Sequence, residues 1–245
     1  MTPTPATPST DAKPASAITD APFLTKGRVT AALLAEIAYI IGARLIVSPE
    51  ISWLNEELRW TALRAVSAIA LLFILFFRTR TSARPRAIKT LDVALVLALL
   101  AVPFFTGDNR LPRDMAHVFA LTSFVIGLRE ELFYRGILQT ALRQRFGIVP
   151  VLLLSNVAFL FFHWGVQPFN PVNMAFLFLS GLTFGLLYHA TGSLLLVAAA
   201  HALYDAVFCY TPLLKTPMPA AHALWMLTAL SALIVLRIRQ TKLTL

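Results

Sequence analysis

Residues 115–138 read MAHVFALTSFVIGLREELFYRGIL. The fourteen positions Met115–Leu128 hold no Asp, Glu, Lys or Arg, and the run then continues through Arg129-Glu130-Glu131 and Arg135 to Gly-Ile-Leu138. About 20 apolar residues in a helix cross the hydrocarbon core of a bilayer. Inside lipid every backbone N–H and C=O must be bonded within its own segment, so the stretch is expected to be a helix. Ionisable groups at that depth are costly, and they face a bundle interior or a water-filled cavity. A charged cluster within an apolar run of this length therefore points to one helix of a polytopic bundle.

The rest of the chain agrees. Of its 245 residues 58% are hydrophobic and 13% charged, and the mean hydropathy is +0.72. A soluble globular domain carries about 25% charged residues, so that class is excluded. A single cysteine, Cys209, excludes a disulfide framework and a Cys-rich metal site. Cys209 itself reads as an apolar filler. The net charge of +9 would suit nucleic acid only if it were gathered on one face of a soluble fold; here the basic residues separate apolar runs. Residues 1–27 are rich in Pro, Thr, Ala and Ser without apolar periodicity, and are expected to be a disordered cytoplasmic tail. Residues 28–245 are expected to form one integral membrane domain.

Eight apolar runs are expected to be helices: Val29–Val47, Trp60–Phe77, Leu91–Phe105, Met115–Leu138, Gly147–Trp164, Asn173–Ala190, Leu194–Tyr210 and Ala220–Leu236. The fold class is thus all-α, a membrane bundle of about eight spans. The segment Arg78–Lys89 holds five basic residues, which marks it as cytoplasmic under the positive-inside rule. With eight spans, both termini are then cytoplasmic. Fifteen Lys and Arg fall inside on this topology, against Arg59, Arg110, Arg113 and Lys215 outside.

Most charges are expected at span ends. Five polar residues are not: Glu130 and Glu131 in the fourth run, His163 in the fifth, His201 and Asp205 in the seventh. A turn at Phe146–Gly147 lies midway between Glu130 and His163. Two antiparallel helices bring both to one depth, about 25 Å from that turn at 1.5 Å per residue. The turn at Thr191–Gly192 puts His201 about 14 Å deep, and the levels agree if the first hairpin extends a couple of turns further. His201 and Asp205 share a helix face, as do Phe159 and His163; Glu131 and Arg135 can pair along theirs. On position alone, the two glutamates could instead balance Arg129 and Arg135 at a solvated helix end. Gly181-Leu-Thr-Phe-Gly185 has the spacing of a close helix crossing.

Three motifs in order, Glu130-Glu131-Leu-Phe-Tyr-Arg135, Phe159-Leu-Phe-Phe-His163 and His201-Ala-Leu-Tyr-Asp205, resemble the CAAX protease and bacteriocin-processing family, intramembrane proteases related to type II CAAX prenyl endopeptidase. Thr191-Gly-Ser-Leu194 is similar too, and the resemblance covers about residues 115–210. It implies a glutamate-dependent endopeptidase acting without a cofactor. Glu130 would activate a water, and His163 would hold and polarise it. His201 and Asp205 would line the oxyanion hole. Glu131 and Arg135 would be structural or position the substrate, and Phe159 would shape the pocket. Asp205 stands where the best-known members have Asn. An ionised Asp cannot donate to an oxyanion, so Asp205 is either protonated or orients His201.

The chemistry asks for a nucleophile, a proton acceptor and donors aimed at the developing oxyanion. Two carboxylates and two imidazoles are also ordinary zinc ligands, which makes a metal-dependent protease the runner-up. A non-catalytic immunity or scaffold protein and a proton-coupled transporter are further alternatives. Neither His-Glu-x-x-His nor Gly-x-Ser-x-Gly occurs. The substrates implied are peptides or proteins at the membrane, either prenylated C-terminal peptides, peptide precursors or C-terminal sorting signals. The compartment implied is a bacterial inner membrane.

Overall fold

The computed structural model describes residues 25–46, 53–76, 88–106, 112–163, 170–210 and 220–243. Most of the 1–27 tail and positions 78–87 of the basic segment lie outside the described residues. The described residues form helices and turns, with no strand among them. Three helices precede the motifs: α1 (Lys26–Ile46), α2 (Trp53–Phe76) and α3 (Thr90–Thr106). The fourth rod, α4, is an α-helix over Arg113–Glu131, a π-helix over Leu132–Gln139 and one closing α turn at Thr140–Arg143. Then follow α5 (Ile148–Phe162), α6 (Pro171–Thr191), α7 (Leu194–Tyr210) and α8 (Ala220–Leu243). Among the described residues, each of the eight runs expected from sequence falls on a helix.

Residues 54–75 and 171–191 are long and apolar enough to cross a membrane, and shorter apolar helices occupy residues 90–105, 148–162, 194–210 and 221–236. The surface is inverted relative to a soluble protein. Leu34, Val66, Leu97, Leu121, Phe161, Leu195 and Trp225 point outward, while Glu36, Arg129, Glu131, Arg135 and Gln139 are buried. Apolar side chains so widely exposed suit a lipid solvent, and polar groups withdraw to where they find partners.

Local chemistry fixes the helix ends. Asn170 caps α6, its side chain accepting from Asn173 N at 2.9 Å, and Pro171 takes the first turn, where its missing N–H costs nothing. At the other end Gly192 adopts φ +67°, the left-handed conformation glycine tolerates. Thr191 Oγ1 then accepts from Ser193 N at 3.2 Å, and Ser193 Oγ from Leu196 N at 3.2 Å. The chain thus reverses within two residues, and α7 returns antiparallel to α6.

The π-helical stretch is not foreseen in the sequence, and it decides how α4 meets α6. Thr140 Oγ1 donates to Arg135 O at 2.9 Å, serving a carbonyl within the altered ladder. Glu131, Arg135 and Gln139 succeed each other at four-residue intervals. Gly181 and Gly185 do the same on α6, and their carbonyls accept from Arg135 Nη2 at 2.6 Å and Gln139 Nε2 at 3.0 Å. The glycine pair is a close crossing, as expected. A Cβ at Gly181 would lie 3.0 Å from the Phe159 ring, and one at Gly185 would lie 2.9 Å from Leu152. π-helical segments occur often at functional sites, and this one begins immediately after the two glutamates.

A second close crossing joins α4 to α7. A Cβ added at Gly127 would stand 2.7 Å from Ala202 N and 3.0 Å from Ala198 O, both backbone atoms that cannot swing away. Gly127→Ala is therefore expected to destabilise the bundle by about 1–3 kcal/mol, the usual range for overpacking. Thermal unfolding of the purified protein in detergent measures it. Cys209 packs with Ala116 and Ala120 at the start of the same rod, as the apolar filler expected.

Candidate active site

The seven side chains singled out in the sequence come from three rods. Glu130, Glu131 and Arg135 lie on α4; Phe159 lies on α5, with His163 at its C-cap; His201 and Asp205 lie on α7. Glu131 is fully buried and forms the hub. Its Oε1 accepts from Arg135 Nη1 at 2.9 Å and lies 2.7 Å from His201 Nδ1. An ionised carboxylate only accepts, so Nδ1 carries the proton in that contact. The imidazole is held further by stacking on Phe184, with ring centroids 4.4 Å apart and planes at 24°.

That orientation aims the other nitrogen of His201 at two carboxylates. Nε2 lies 3.9 Å from Glu130 Oε2 and 3.6 Å from Asp205 Oδ2. The depths estimated for α4 and α7 thus coincide at the site. Glu130 is buried, yet its Oε2 makes no hydrogen bond. Buried polar atoms are ordinarily satisfied, so an orphaned carboxylate oxygen signals a place for water or substrate. The Asp205 side chain is 33% exposed, against 7% or less for Glu130, Glu131, Arg135 and His201. The cluster opens on the Asp205 side.

Phe159 separates the two imidazoles. Its ring centroid is 4.4 Å from that of His163 and 6.3 Å from that of His201, and the Arg135 guanidinium lies over its face at 5.2 Å. His163 Nδ1 is 2.8 Å from Phe159 O. A carbonyl accepts, so Nδ1 carries the proton and a neutral ring presents Nε2 as an acceptor. Among the described residues, no three His, Cys, Asp or Glu side chains are grouped to hold a metal ion.

Two expectations need correction. Arg129 does not balance the motif glutamates. It is buried, its Nη2 donates to Glu36 of α1, and its guanidinium lies 3.9 Å from the Tyr39 ring centroid and 4.9 Å from that of Phe162. Nor are the five named residues the only ionisable groups away from span ends, because Glu36 sits inside α1 and is buried. The signal was present in the sequence, a lone carboxylate in an apolar run, which is a functional candidate by default. Gln139, also missed, carried no such flag, since an uncharged amide stands out little among apolar neighbours.

Residues 112–207 match the profile of the family described as Rce1-like, type II CAAX prenyl endopeptidase Rce1-like. No match to a curated protein is found. The matched segment contains α4 to most of α7 and with them all three motifs. Through residues 112–207 this all-helical chain is similar to the type II CAAX prenyl endopeptidase Rce1-like family.

Proposed function

We propose that the protein is an intramembrane endopeptidase that cleaves a peptide bond with a glutamate-activated water, and that both its termini are cytoplasmic. The observation that carries this reading is the orphaned Oε2 of Glu130, 3.9 Å from an imidazole nitrogen whose partner nitrogen is fixed by Glu131. Water bonded to Glu130 Oε2 and His163 Nε2 loses a proton to Glu130 as its oxygen attacks the scissile carbonyl. The C=O electrons move to oxygen, and the resulting oxyanion takes a hydrogen bond from doubly protonated His201 Nε2. Collapse of the tetrahedral intermediate breaks the C–N bond, and Glu130 returns its proton to the departing amine. One such oxyanion donor supplies about 3–4 kcal/mol.

Asp205 borders the same space, one helical turn from His201. Asp205→Asn is expected to keep turnover within about tenfold, since its amide also presents a donor. Asp205→Leu is expected to lose about 10²–10³, the loss on removing one oxyanion-hole donor. Rates on an internally quenched farnesylated CAAX peptide decide between these outcomes.

The substrate class proposed is a prenylated C-terminal peptide, which the family description supports. The test is terminal proteomics on membranes from cells carrying the intact protein or Glu130→Gln. New C-termini that appear only with the intact protein, next to prenylated cysteines, support the reading. Identical termini in both samples overturn it.

A further inference from the structure

α1 lies outside the family-matched segment, yet it places a carboxylate beside the catalytic cluster. Arg129 has one donor on Glu36 and a weak contact from Nε to Ser67 Oγ at 3.4 Å, while its Nη1 is buried without a hydrogen bond. One residue along the helix, Glu130 Oε2 is buried without one too. A buried guanidinium with a spare donor thus adjoins a buried carboxylate with a spare acceptor, and the two are not paired with each other. Neighbouring residues on a helix do not face each other, so the guanidinium reaches Glu130 only by swinging from its present direction. Glu36 and the rings of Tyr39 and Phe162 hold it there.

We infer that Glu36 is a positioning residue of the active site: it neutralises Arg129 and holds it toward α1, so that Glu130 stays free for water. Without Glu36, an uncompensated buried cation would seek the nearest carboxylate with room. Glu131 also has a buried oxygen without a hydrogen bond, Oε2, but its Oε1 already meets both Arg135 and His201, which leaves Glu130 as the less neutralised carboxylate. Glu36 touches no substrate in this account and acts through Arg129. The inference rests on the reading of Glu130 as the base.

The test compares the full chain with Glu36→Gln and Glu36→Gln/Arg129→Gln in proteoliposomes. The first readout is modification by dicyclohexylcarbodiimide, which attacks protonated carboxyl groups in apolar surroundings, located residue by residue by mass spectrometry. Glu130, with no hydrogen bond on Oε2, is expected to be labelled in the unchanged chain through the small protonated fraction in equilibrium with the base. Labelling should fall about tenfold or more in Glu36→Gln, the effect of an opposite charge brought close. It should return to within about twofold in the double variant, where the charge is gone. Turnover of the quenched farnesylated peptide should follow the same order, in kcat rather than KM.

A double variant that folds but stays unlabelled overturns the inference, as does an unchanged Glu36→Gln or an unlabelled Glu130 in the original chain. If Glu36→Gln fails to fold, the double variant alone decides; if that also fails, the pair is structural and the inference falls. Glu130→Gln separates the two readings. Full turnover there ends the proposed mechanism whatever the labelling shows, whereas lost turnover with unchanged labelling in Glu36→Gln ends only the inference.

Discussion

Glu130→Gln is expected to lower turnover of the farnesylated peptide by about 10²–10⁴ while leaving the bundle folded. The two halves of that result have separate causes. The fold survives because the carboxylate supports little. Its Oε2 makes no hydrogen bond, and His201 Nε2 stands 3.9 Å from it. Gln has nearly the same shape, so no cavity opens. Turnover fails because an amide cannot take a proton from water or return it to the leaving amine. Thermal unfolding in detergent and the cleavage rate check the two halves on one preparation. A rate within tenfold of the original would move the base elsewhere in the cluster; a large drop in unfolding temperature would make Glu130 a structural residue.

The legible parts of this molecule were those written in run length and in charge. Lipid imposes a helix on any apolar run that crosses it, so the helices could be located from hydropathy alone. Gly192 announced its turn because a left-handed residue is needed there. The candidate site was legible as a cluster because Glu130, Glu131, His201 and Asp205 stand out against apolar neighbours, and their spacing set which pairs could share a face. Partner choice was not legible. Arg129 stands beside two glutamates in the sequence and pairs with Glu36, ninety-three positions away. Adjacency along a helix turns side chains apart, while α1 supplies a carboxylate in the right direction. The π-helix over Leu132–Gln139 left no trace in composition either: Arg135 and Gln139, whose side chains bond across to the α6 glycine carbonyls, are ordinary helix formers. Sequence spacing also left the role of Asp205 open; its placement 3.6 Å from Nε2 puts it on the same side of His201 as Glu130.

Glu131→Leu is expected to be the most destabilising change in the cluster, costing about 3–5 kcal/mol, because it removes one partner from a buried ionic group and leaves the others. Arg135 would keep only its bond to Gly181 O, and His201 would lose the acceptor that fixes Nδ1. The double variant Glu131→Leu/Arg135→Met separates packing from catalysis. A buried ion pair replaced by apolar groups of similar size is often neutral or better for stability, so the unfolding temperature should recover most of what Glu131→Leu lost. Turnover should not recover with it. His201 is then free to rotate about its stack on Phe184, and Nε2 no longer points at Glu130 and Asp205. Stability regained without activity would assign Glu131 to the aiming of His201. Activity regained together with stability would show that Glu131 serves only to neutralise Arg135, and that Phe184 alone orients the imidazole.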